Sequence, residues 1–165
     1  MKKIVIVTFL LLNLCLLTGC SQKEQGPVNK STWSECGSSF ACLADNAGFD
    51  FKLRIGSNFE ARATKGIAEV TFPYISDDNY ITVRKTLNKT DEDTSDIKTK
   101  YVVEKEVSVN DIPTKVRGNG SLFYVANFNS ENAHYSIYDK TGMTINDLQM
   151  IQNLLIGSEY GYRNK

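Results

Sequence analysis

The chain holds a single histidine, His134, so any triad or imidazole-based proton transfer would have to use it. Ser136 follows two places on along an expected strand, where side chains stand about 6.5 Å apart at the backbone. That is awkward for the hydroxyl-to-ring hydrogen bond a nucleophile needs, and an exposed histidine on a sheet face is the expectation. A second cluster, Asp91-Glu92-Asp93-Thr94-Ser95-Asp96, offers oxygens at the alternate positions used by calcium loops. The EF-hand pattern requires glycine at its sixth place and glutamate at its twelfth; here those places hold Asp96 and Val102, which argues for a solvated acidic loop instead. Cys36 and Cys42 form the third candidate. Zinc prefers four ligands, and two thiols with one distant histidine fall short. A disulfide is the stronger reading outside the cytoplasm. Six residues along a regular helix rise about 9 Å, beyond the ~7 Å Cα separation a bridge tolerates. The bond therefore requires Cys36 to precede a helix that starts after Ser38 or Ser39, both natural N-caps.

Eight tyrosines occur in the chain, and Tyr74, Tyr80, Tyr135 and Tyr138 are expected on one side of a sheet. Alternation assigns most aromatic residues to core packing, yet a tyrosine-bearing sheet face also suits a peptide, glycan or lipid-like ligand. No catalytic residue, cofactor or metal is expected.

The amino terminus carries an address. Lys2 and Lys3 precede an apolar run over residues 4–17, and the small residues Thr18 and Gly19 lead into Cys20. The run is shorter than the ~20 residues a membrane-spanning helix needs. Leu17-Thr18-Gly19-Cys20 resembles a bacterial lipobox, which implies cleavage before Cys20, a diacylglycerol on its thiol and a lipid anchor on the extracytoplasmic face of the cell membrane. The expected organisation is a signal peptide at 1–19, a flexible tether at 20–32, one domain at 33–158 and a frayed tail at 159–165. The removed part holds Lys2 and Lys3 and no acid, so the balance of 19 basic to 19 acidic side chains becomes 17 to 19, a net charge near −2. Nothing in that balance attracts nucleic acid.

The elements that must position these residues follow from periodicity. Phe40, Leu43 and Ala47 share a helical face, with Gly48 as the stop, so residues 39–47 are expected to be helical. The period then becomes two. Phe49, Phe51, Leu53 and Ile55 alternate with polar residues, as do Ala68, Val70, Phe72 and Tyr74, and then Ile81 and Val83, while residues 58–64 read as a weaker strand. Residues 76–79, SDDN, read as a hairpin turn and residues 88–99 as a surface loop. Tyr101, Val103, Val107 and Val109 continue the alternation. Asn110-Asp111 is expected to turn, residues 112–117 to return, and residues 121–128 to form a central strand apolar on both faces. After a turn at 129–132, Ala133, Tyr135 and Ile137 belong to a last strand. Thr144 and Asp147 form a capping box ahead of Leu148, Ile151 and Leu155, with Gly157 as the expected stop. The sum is an α+β fold: a curved antiparallel sheet of about seven strands carrying a short N-terminal helix and a C-terminal helix.

Three segments, WSECGSSFACLADNAGFDF at 33–51, YITVRK at 80–85 and the stretch from Lys115 to Leu155, resemble a family of extracellular domains of unknown function in Firmicutes, found in lipoproteins and in the outer parts of anti-sigma-type membrane proteins. The resemblance spans about three quarters of the chain and departs at Asn127-Phe128, where the family tends to place tryptophan. It implies fold and location and supplies no catalytic residues. The expected function is a non-enzymatic, lipid-anchored binding or sensing module of the cell envelope, with a protein, peptide or glycan partner. The alternatives are a cell-wall hydrolase using the carboxylates of the 91–96 loop, or an inhibitor or immunity-type lipoprotein with a loop pinned by Cys36 and Cys42.

Overall fold

Alternating residues resolve into eight strands in a computed structural model that describes residues 33–90 and 92–160. The signal peptide, the tether, Cys20, Asp91 and the tail beyond Tyr160 lie outside the described residues. The strands are β1 (Ser34–Gly37), β2 (Glu60–Thr64), β3 (Ile67–Tyr74), β4 (Ser76–Thr86), β5 (Val103–Val109), β6 (Ile112–Gly118), β7 (Phe123–Asn129) and β8 (His134–Met143). They form one antiparallel sheet in the order β1-β2-β3-β4-β8-β7-β6-β5, with β1 and β5 as its edges. Two helices, α1 (Phe40–Ala47) and α2 (Ile145–Tyr160), complete an α+β architecture. The count is eight strands rather than seven because the four residues of β1 are too short to show a period.

Register separates the two faces. Ala61, Val70, Val83, Ile137, Ala126 and Val116 lie opposite one another on β2, β3, β4, β8, β7 and β6, and each is at most 2% exposed. Leu43 and Ala47 of α1 and Leu148, Ile151 and Leu155 of α2 join this same core. Burying each large side chain contributes roughly 1.5–3 kcal/mol, so helical cover on this face supplies most of the driving force for the layer. The helix starts are as expected. The Ser39 hydroxyl accepts from the Cys42 amide, and Gly48 closes α1 in the left-handed region at φ 81°. At α2 the Thr144 amide donates to Asp147 Oδ2 at 2.8 Å, and the Asp147 amide returns a bond to the Thr144 hydroxyl at 3.3 Å. The β5–β6 hairpin turns on Asn110 and Asp111, both at positive φ, as a two-residue turn matched to strand twist requires.

Three expectations are corrected. Residues 49–55 pair with no strand. Phe51 and Leu53 are buried, but Phe51 packs on Tyr135 of central β8 at 6.2 Å between ring centroids, which puts this segment over the sheet face. A chain lying on a sheet buries one side in two, and so imitates a strand. Second, residues 76–79 belong to β4, and the reversal falls at Ile75, φ 66°. Third, α2 runs through Gly157 to Tyr160. Glycine in a helix costs only about 1 kcal/mol, and Leu155, fully buried beside it, holds the turn in place. Gly120 has positive φ, and Gly118 is glycine because a Cβ there would lie 2.0 Å from the Leu122 carbonyl oxygen.

Candidate functional site

One residue along each of strands β2, β3, β4, β6, β7 and β8 from the apolar row, on the opposite face, runs a polar one. Glu35, Arg62, Glu69 and Arg84 cross β1 to β4, and Ser136, Asn127, Lys115 and Glu106 continue across β8, β7, β6 and β5. Four of them, Glu69, Arg84, Asn127 and Ser136, are buried, so they must find partners or carry a desolvation cost. Glu69 accepts from Arg62 Nε at 2.6 Å and from Arg84 Nε and Nη2 at 3.0 and 2.7 Å. The other arm of Arg84 reaches into the loop between β4 and β5, donating to Asp96 Oδ2 at 2.6 Å and to the Thr94 carbonyl. Burial alone would weaken the hold of Arg84 on its proton, but the hydrogen bonds and charges of Glu69 and Asp96 outweigh it and raise the pKa.

The loop is fastened at further points. The Thr94 and Ser136 hydroxyls meet at 2.6 Å, and Ser136 donates to Asn127. Arg117 Nη1 donates to the Ile97 carbonyl at 3.0 Å, and Nη2 to Asp93 and the Ser95 hydroxyl. Burial opposes ionisation of Asp93, yet hydrogen bonds from the Ser95 hydroxyl and amide, with the Arg117 charge, hold its carboxyl below the usual range. Tyr101 stacks on Tyr124 at 5.3 Å, and the Arg117 guanidinium lies 5.7 Å from the Tyr101 ring centre.

Between the fastened segment at 95–97 and the β1 edge lies a groove of 420 Å³. Its lining includes the hydroxyls of Thr71 and Thr82, 2.9 Å apart on neighbouring strands, together with Tyr138. Trp33, the only tryptophan in the chain, is also on the lining, with the guanidinium carbons of Arg62 and Arg84 4.6 and 5.1 Å from its ring centre. Glu35 and Glu60, both exposed, line it as well. A smaller depression of 270 Å³ touches Thr90, Asn129 and His134.

The residues singled out in the sequence are placed as follows. Cys36 and Cys42 are joined in a disulfide with Cα atoms 5.5 Å apart, Cys36 on β1 and Cys42 in α1, as the spacing required. The four tyrosines do not share a face. Tyr135 is fully buried in the core, stacked on Phe128 at 5.2 Å, whereas Tyr138, three residues along the same strand, lines the groove. The Tyr74 hydroxyl points toward α2, donating to Asp147 at 3.4 Å; burial first, then the Asp147 hydrogen bond and charge, push its pKa up to about 12. Tyr80 is 48% exposed, and its strand position puts it on the face of Thr82 and Arg84. His134 is buried at 1% exposure rather than exposed, with Nδ1 3.0 Å from Asn129 Oδ1. The loop acids Asp93 and Asp96 sit on arginines, and no group of three or more metal-ligating side chains is gathered among the described residues.

Sequence reading missed Trp33, Arg62, Glu69, Arg84 and Arg117. The signal for Glu69 and Arg84 was present, since both occupy outward positions of alternating strands, but their pairing depends on register. No family model, no curated protein and no solved structure matches the chain. No helix among the described residues is long and apolar enough to cross a membrane.

Proposed function

We propose that the chain is a lipid-anchored binding or sensing module of the cell envelope and that the groove beside Trp33 takes its ligand. The lipobox-like Leu17-Thr18-Gly19-Cys20 after an apolar run supports the anchor. The observation that carries the binding reading is an open groove of 420 Å³, within the ~300–1,000 Å³ of ligand sites, on the sheet face that the helices leave uncovered. Four of its charged side chains, Arg62, Glu69, Arg84 and Asp96, are held by one another before any ligand arrives, and such preorganisation lowers the ordering cost of binding. The hydrolase alternative drew on the acids of the 91–96 loop; with Asp93 on Arg117 and Asp96 on Arg84, those two are occupied in fastening the loop. Ser136 likewise shares its hydroxyl with Thr94 and Asn127.

Two measurements test this reading. The full chain expressed in a bacterium should fractionate with membranes and carry a diacylglycerol-modified N-terminal cysteine by mass spectrometry, and Cys20→Ser should abolish both. Envelope extract titrated against the purified protein should change Trp33 emission saturably. A Cys20→Ser chain that still matures and fractionates as before would remove the anchor, and an unresponsive Trp33 would count against the groove.

A further inference from the structure

We infer that the groove is a saccharide site, suited to a neutral or amine-bearing sugar ring and unsuited to phosphate or other anions. The inference rests on the groove being the ligand site. Donors and acceptors in it are interleaved. The Thr71 and Thr82 hydroxyls and the Tyr138 hydroxyl both donate and accept, Arg62 only donates, and Glu60 only accepts when ionised. Arg62 commits Nε to Glu69, while its side chain stays 42% exposed on the lining. A partner that satisfies such a surface must itself donate and accept at adjacent points, which is what the hydroxyls around a sugar ring do. A lysine or arginine side chain would meet the carboxylates and leave the hydroxyl floor unmatched.

Charge sets the second condition. Arg62 and Arg84 are balanced by Glu69 and Asp96, which they contact directly. Glu35 and Glu60 remain, so the lining carries an excess of two acids and repels an anion while tolerating a neutral or cationic ring. Trp33 is half-buried, with the Arg62 and Arg84 guanidiniums against its ring, and the ring area they leave uncovered on the lining is the apolar surface on which the C–H face of a sugar packs. The volume lies low in the range of ligand sites, which fits a short saccharide unit.

The test uses the mature lipidated chain in a detergent without a sugar headgroup, reading Trp33 emission against four probes: an N-acetylglucosamine oligomer, glucosamine, inorganic phosphate and a lysine-containing tripeptide. The two sugars should saturate, with phosphate at least tenfold weaker. Thr82→Val, which removes one floor hydroxyl, should weaken both sugars about fivefold, the loss expected for one hydrogen bond. Glu60→Gln, at an exposed position with little bearing on folding, should weaken glucosamine more than the neutral oligomer; circular dichroism verifies that both variants fold. Phosphate or peptide saturating where sugars do not would overturn the saccharide assignment and leave the binding reading standing. Sugar affinity unchanged in both variants would also overturn it. No response to any probe, together with none to envelope extract, would remove both.

Discussion

Adjacent positions along β2, β3, β4, β6, β7 and β8 build two unlike faces. The row through Val70, Val83 and Ile137 is held by burial against helices, an attraction that asks only for apolar area and fit. The row through Glu69, Arg84 and Ser136 is held by directed bonds to a loop, each partner needing its counterpart in place. The first face tolerates substitution by volume, and the second does not. That difference places the open groove beside the network, where side chains are fixed without being packed from above.

Substitutions on each face separate these two origins of stability. Arg84→Met leaves Glu69, only 6% exposed at its side chain, with Arg62 alone, and should cost about 4 kcal/mol in urea unfolding, with Trp33 emission shifted even in the folded state. Adding Glu69→Leu should restore most of that loss; if the double variant is no better than the single, the cost does not come from a stranded carboxylate. Leu155→Ala on the helical face should cost about 3 kcal/mol while leaving Trp33 emission of the folded protein unchanged. A shifted spectrum would show that the two faces are coupled. Replacing Cys36 and Cys42 together by alanine opens a short loop and should cost about 2 kcal/mol, read as a lowered melting temperature.

The smallest effect is in pH. Because the folded pKa of Asp93 is lowered, its contribution to stability is fully present above the ordinary carboxylate value of about 4 and is lost as pH falls through the lowered value. A carboxyl-carbon NMR titration should place Asp93 below the exposed aspartates. Asp93→Asn should flatten the acid limb of stability against pH, whereas an unchanged limb would mean that the loop fastening does not depend on this charge.

Local signals in the chain were legible where the deciding contacts are local. Ser39 and Gly48 bound α1, Thr144 and Asp147 cap α2, and Asn110-Asp111 turns the hairpin, because a cap or a two-residue turn is decided within a few residues. Period two also held a lesson left unused. Tyr135 and Tyr138, three apart on one strand, must face opposite ways, so they never belonged to a common surface. The buried His134 and the segment at 49–55 were illegible for another reason: burial depends on what lies above a residue, and an extended chain on a sheet has the same pattern as one within it.

Sequence alone determined most element types, both caps of α1, the start of α2 and the reach of Cys36 to Cys42, since backbone geometry and side-chain period act over neighbouring residues. Only the tertiary structure decided that Arg84 would bridge Glu69 on one strand and Asp96 in a loop, and that Trp33 would border the groove. Those partners lie 12 to 15 residues apart in sequence. Strand order, register and the path of the loop bring them together, and each is set by burial summed over the whole sheet.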